Sequence, residues 1–286
     1  MMTDDGQQAE QHRASPIDRL RGRGGGSDLA ARVATAVPLA LLAILLVALG
    51  GWIFALGLMV LGVIALRELF SIFERLSPPI LAGLVGLILL LAAAQTGGPP
   101  RVLLALVVSF AVVFVISITD HRSTSLPGLA LAVLGLVWIG LAFAHAIMLR
   151  NLEHGSAIVF LVLIAAFLTD TGAYFGGRAF GRRALAPTIS PAKTVEGLLL
   201  GILAGTAAAW FTGLYFDWLS GVDALILGFS VALAAPLGDL FESYVKREAG
   251  VKDSGTIFGA HGGVLDRLDA VSFSIVAGYY VWSALL

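Results

Sequence analysis

GDLFESYVKREAGVKDSGTIFGAHGGVLDRLD, residues 238 to 269, lies between two long apolar runs and is dense in charge. Asp239, Asp253, Asp266 and Asp269 share it with Lys246, Arg247, Lys252 and Arg267, with His261, and with the loop glycines that include Gly262 and Gly263. No ordinary connection between apolar segments needs that inventory. If the helix entering the stretch continues to Arg247, then Asp239, Ser243, Lys246 and Arg247 fall at i, i+4, i+7 and i+8, on one face. An acid beside a hydroxyl and two cations points to chemistry on metal and phosphate.

The flanking chain decides the fold class. With 58% hydrophobic and 13% charged residues in 286, it is too apolar for a soluble globular domain and fits an all-α polytopic membrane protein. The net charge of −1 matters less than where the charges lie. The absence of cysteine excludes disulfides, thiolate zinc sites and a cysteine nucleophile.

A helix needs roughly 20 residues to cross the hydrocarbon core. Runs of about that length recur at 33–49, 51–66, 80–97, 102–118, 126–149, 155–175, 194–215, 221–241 and 268–286, which predicts about nine transmembrane helices. The first two, divided by Gly50-Gly51, form either a tight hairpin or one broken element. Residues 1–30, polar and Gly-rich, read as a disordered cytoplasmic tail without the pattern of a signal peptide. Residues 31–150 then form an N-terminal multi-span region, and 151–286 a C-terminal catalytic region.

With the N-terminus inside, every Lys and Arg except Arg101 and Arg150 falls on the inner side. That bias places the N-terminus and the charged loops in the cytoplasm, as in a bacterial-type inner membrane. In the first half, Arg67-Glu68 and Glu74-Arg75 read as a solvated cytoplasmic turn. His145 and His154, isolated near the outer edge, read as interfacial, with no chemistry assigned.

The second half differs. AAFLTDTGAYFGGRAFG, residues 165–181, sets Asp170 inside an apolar run, where an ionisable group is costly enough to suggest function, with Tyr174 and Arg178 at successive turns. A structural ion pair is the alternative. In ISPAKTVEG, residues 189–197, Pro191 is expected to open a helix that Ser190 caps, with Lys193, Thr194 and Glu196 around a helix N-terminus fit to cradle phosphate. Capping alone is the alternative there. Gly197, Gly201, Gly205, Ala209 and Gly213 then repeat every four residues, a small-residue ridge for close packing within the chain or against a second copy in a homodimer.

Residues 243–269 resemble the C-terminal motif of the phosphatidate cytidylyltransferases, or CDP-diacylglycerol synthases, with its S-x-x-K-R-x4-K-D core and its H-G-G-x-x-D-R-x-D ending. At Gly259-Ala260 the family's commoner Pro-Gly is replaced. The stretches at Asp170 to Gly181 and at Ser190 to Gly197 resemble that family too. The resemblance implies transfer of the cytidylyl group of CTP to phosphatidate, with Mg²⁺ as cofactor and room for a second metal ion. It places Asp239 and Asp266 among the acids of a metal centre, and the need to neutralise two anionic phosphates assigns Lys193, Lys246, Arg247, Lys252, Asp253, His261 and Arg267 to catalysis. Asp170, Tyr174, Ser190, Thr194, Glu196, Ser243, Gly262, Gly263 and Asp269 fall to the substrates. The partners expected are CTP, phosphatidate and the bilayer, with no nucleic acid.

Two other readings fit a charged membrane protein. A CDP-alcohol phosphotransferase should show D-G-x2-A-R-x8-G-x3-D-x3-D, and this chain has no such pattern. An ion-coupled transporter would place its ionisable groups at midplane, whereas here they gather at one face.

Overall fold

The computed structural model describes residues 37, 38, 40–119, 125–255 and 262–286. The chain divides into a unit of residues 1–42 and a compact unit, Ala43–Leu286. Within the first, the described residues are helical. The expected disordered tail, Arg122 and His261 lie outside the described residues.

Helices build the compact unit: α1 (Gly51–Ile72), α2 (Ile80–Thr119), α3 (Leu126–Asn151), α4 (Gly155–Phe180), α5 (Val195–Gly213), α6 (Gly221–Glu248) and α7 (Asp269–Leu285). The first six are long and apolar enough to cross a membrane, and the chain is an integral membrane protein. A short antiparallel hairpin, β1 (Ala184–Ala186) with β2 (Ser190–Thr194), stands between α4 and α5.

Gly98 breaks α2 with φ 66° and ψ −163°, and Pro99 and Pro100 open its second arm. The break is a reversal, because the Ser109 hydroxyl donates to the Gly86 carbonyl at 3.2 Å. In a continuous helix those residues would stand about 35 Å apart. Gly50, with φ 64°, makes the same kind of reversal. There a Cβ on Gly57 would come within 2.7 Å of the Leu46 side chain, so the tight hairpin holds and the single broken element does not.

Two expectations for the first half change. Glu68 is a buried residue of α1, while the exposed turn begins at Glu74. His145 is buried on α3, its ring bonded to Leu141 O (2.7 Å) and Tyr280 Oη (3.2 Å). His154 stacks on Trp218 with ring centroids 3.8 Å apart.

The small-residue ridge of α5 packs within the chain. Gly197, Gly201, Gly205, Ala209 and Gly213 are all buried. A Cβ on Gly201 would lie 2.6 Å from the Thr169 carbonyl of α4, and one on Gly213 would lie 2.8 Å from Ala224 of α6. Because α5 lies against α4 along its first half and against α6 along its second, it sets the spacing of the two helices that carry Asp170 and Asp239. Replacing Gly201 by Leu should therefore lower the yield and the melting temperature in detergent before it touches chemistry, since overpacking costs about 1–3 kcal/mol or more. A stable but inactive variant would move the ridge into the active site.

Candidate active site

A pocket of ≈ 510 Å³ opens where α4, β2 and α6 meet. α4 presents Asp170, Tyr174 and Arg178, β2 presents Ser190, Lys193 and Thr194, and α6 presents Pro236 and Asp239. Segments far apart in sequence thus share one wall. Arg178 donates to the Tyr174 hydroxyl at 3.3 Å, across one turn of helix.

The α5 start differs from the sequence expectation. Ser190 and Pro191 lie in strand β2, and the helix begins only at Val195. Thr194 caps it, its hydroxyl accepting the Gly197 N–H at 3.1 Å. A proline without an N–H is tolerated in so short an edge strand. Glu196 accepts the backbone N–H groups of Arg182 (3.0 Å) and Arg183 (3.2 Å), which anchors the root of the hairpin.

The α6 helix runs through Arg247, as the one-face reading requires. Carboxylate oxygens of Asp239, Glu242 and Asp269 lie within 4.8 Å of one another, the one such group among the described residues. Gly238 makes this possible, because a Cβ there would strike the Asp269 carbonyl and stand 3.2 Å from the Phe273 ring. Two ammonium groups answer the acids. Lys193 Nζ lies 2.5 Å from Asp239, and Lys246 Nζ lies 3.0 Å from Glu242 and 2.8 Å from Asp266. Ser243 donates to Asp239 at 3.5 Å, at the limit of a hydrogen bond.

The group differs from the expected pair of Asp239 and Asp266. Asp266 sits on a 3-10 turn (Leu265–Arg267) ahead of α7, where its oxygens are taken by other donors. They accept Lys246 Nζ, the Ser254 N–H (3.0 Å), the Ser254 hydroxyl (2.9 Å) and the Gly263 N–H (2.7 Å). Burial works against its charge, but these bonds prevail and hold its carboxyl down at about 2.

Glu68 performs a parallel service from α1. It accepts the N–H groups of Val264 (3.0 Å) and Leu265 (2.8 Å) and lies 3.4 Å from the Ser254 hydroxyl. A Cβ on Gly255 would come 2.6 Å from its oxygen, and one on Gly263 would strike it, while one on Gly262 would strike Asp266. These glycines let backbone close around two carboxylates. Arg247 donates to the carbonyls of Ile189 (3.3 Å) and Val251 (3.2 Å), tying α6 to the hairpin. Lys252, Asp253 and Arg267 are exposed.

Sequence reasoning passed over Glu242 and read Glu68 as part of a solvated turn. Both carried a signal: Glu242 stands at i+3 from Asp239 and i−4 from Lys246, and Glu68 interrupts an apolar run as Asp170 does.

Residues 30–285 match the cytidylyltransferase family, and the chain belongs to it. The chain is 32% identical over 266 residues to a phosphatidate cytidylyltransferase of Bacillus subtilis, covering 89% of this chain and 97% of that one. It is also 32% identical to one from Staphylococcus epidermidis (85% and 94%) and 44% identical over 123 residues to one from Helicobacter pylori (42% and 45%).

The depressed value of Asp266 has a definite sign. Its ionic anchoring of the loop is complete above the ordinary Asp value of about 3.9 and is lost only as pH falls through about 2. Asp266→Asn should lower turnover yet leave the midpoint of any acid limb between about pH 5 and 7 where it is. A pH–rate profile checks this, and a limb that disappears in the variant would assign that titration to Asp266.

Proposed function

We propose that this chain transfers the cytidylyl group of CTP to phosphatidate, forming CDP-diacylglycerol and pyrophosphate. One observation carries the reading: Asp170, Lys193 and Asp239 line one pocket, and Asp239 is also part of the three-carboxylate group, in a chain of this family.

The donor set fits a hard divalent cation of the Mg²⁺ class. All three groups are carboxylates, and Glu242 is buried, where an added positive charge offsets the cost of the acids' mutual repulsion. Asp239, Glu242 and Asp269 would hold the ion, which when bound supplies charge neutralisation for the phosphates. Asp266 and Glu68 keep the loop before α7, and so Asp269, in place.

The chain's own groups do the rest. Lys193 and Arg178 clamp phosphate oxygens in the pocket, and Ser190, Thr194 and Tyr174 offer hydroxyls to the substrates. Lys246 stays fixed between Glu242 and Asp266. Lys252, Asp253 and Arg267, exposed on the loop ahead of α7, are assigned to the approach of the substrates, and His261 lies outside the described residues. A phosphate monoester has a second pKa near 6, so phosphatidate arrives largely dianionic and needs little help from a base. Its oxygen bonds to the α-phosphorus of CTP as the bond to the bridging oxygen breaks, and pyrophosphate leaves with the electron pair. Alignment and charge neutralisation are what the site must supply.

The orientation follows from the Lys and Arg distribution. About nine spans, with the N-terminus and the pocket-bearing loops in the cytoplasm, bring the site to CTP while the acyl chains of phosphatidate stay in the bilayer. The reversal at Gly98, the apolar helix ending at Leu49 and the 17-residue α7 support that count.

Purified protein should release pyrophosphate only when CTP, phosphatidate and Mg²⁺ are all present. Asp239→Asn should lower the rate by about two orders of magnitude or more while insertion and folding persist. Exchange of labelled pyrophosphate into CTP should be absent without lipid substrate. Release without phosphatidate, or robust exchange in its absence, would overturn direct transfer.

Cysteines placed at the exposed positions Arg183 and Glu248 should react with an impermeant maleimide in inverted vesicles and not in intact cells. Labelling of intact cells at both would reverse the topology.

A further inference from the structure

Of the two lysines that answer the acids, only one is fixed. Lys246 lies between two carboxylates, its side chain is 15% exposed, and it leaves the same helix as Glu242. Among the described residues Lys193 pairs with one carboxylate, Asp239, and reaches it from the edge of a two-stranded hairpin whose β2 lines the pocket. Its Nζ is shielded from solvent, although the side chain as a whole is 25% exposed. A lysine has four rotatable bonds and the pocket lies beside it, so leaving Asp239 requires no movement of backbone.

We propose that Lys193 is a built-in placeholder cation: it neutralises Asp239 while the acid group is empty, and swings to the phosphates in the pocket when a divalent ion takes its place. This rests on the reading that Asp239, Glu242 and Asp269 hold that ion.

The coupling between the two cations is electrostatic. An ammonium 2.5 Å from Asp239 and a divalent cation on the same carboxylate repel each other, and a half-buried site screens that repulsion poorly. The ion alone must therefore displace Lys193 and binds weakly. Displacement leaves a desolvated ammonium at the wall of the pocket, where a nucleotide's phosphates give it a new partner. Each ligand thus removes a cost from the other, and linkage makes the benefit reciprocal. In the absence of both, Asp239 and Lys193 satisfy one another, which avoids an uncompensated acid beside Glu242 and Asp269.

Mn²⁺ binding to the detergent-solubilised protein, followed by electron paramagnetic resonance of the free ion, tests this without turnover. Wild type should bind Mn²⁺ weakly alone and about tenfold more tightly with a non-hydrolysable CTP analogue. Lys193→Gln should bind Mn²⁺ alone about tenfold more tightly than wild type, and the analogue should then add little. Lys193→Arg should behave like wild type, and Arg178→Gln, which removes a pocket cation that does not touch Asp239, should not raise Mn²⁺ affinity. A melting curve for each variant shows that it is folded.

Unchanged or weaker Mn²⁺ binding in folded Lys193→Gln, with wild-type binding abolished by Asp239→Asn, would overturn the placeholder while leaving the metal site standing. Failure of wild type to bind Mn²⁺ with or without the analogue would overturn both.

Discussion

Carboxylates resist leaving water and resist one another, yet α6 and α7 bring Asp239, Glu242 and Asp269 together in a half-buried group, with Asp266 close behind. Much around them is arranged to meet that cost. Lys246 is shared by Glu242 and Asp266, Lys193 is brought to Asp239 by a strand, and backbone N–H groups crowd onto Asp266. Under the proposed function, the negative charge that these partners leave is what draws a cation, and then phosphates that a cation can hold.

Close packing delivers the charges to each other. The ridge on α5 brings the backbones of α4 and α6 to its own, and Gly238 admits the first residue of α7 to the surface of α6. Within a bilayer, apolar side chains gain little by leaving lipid for protein, so tight contact of small residues has to hold helices together. Residues without chemistry of their own therefore control the distances between the charged groups.

The two halves of the chain are not divided into scaffold and catalyst. Glu68, on α1, receives two successive backbone N–H groups ahead of α7 and so stabilises the loop that carries Asp266. A buried carboxylate with such partners is satisfied, whereas those N–H groups without it would each lack an acceptor at a cost of about 1–3 kcal/mol.

The sequence by itself determined the class and pointed to a candidate site. Apolar runs of bilayer length made the chain a helical membrane protein, and of the charged residues singled out the structure places Asp170, Lys193 and Asp239 at one pocket and Asp239 and Asp269 in one acid group, while Lys252, Asp253 and Arg267 lie exposed. Helical spacing correctly set Asp239, Ser243 and Lys246 on one face, because period is a local property of the backbone. Partner choice is not local. Tertiary structure alone decided that Asp239 meets Asp269 and Glu242 while Asp266 turns to Lys246 and Ser254, with Asp266 on the 3-10 turn and Asp269 at the start of α7. It also decided that Pro191 extends a strand and that Glu68 clamps a loop nearly two hundred residues away, since pairing and burial depend on which segments fold back upon each other.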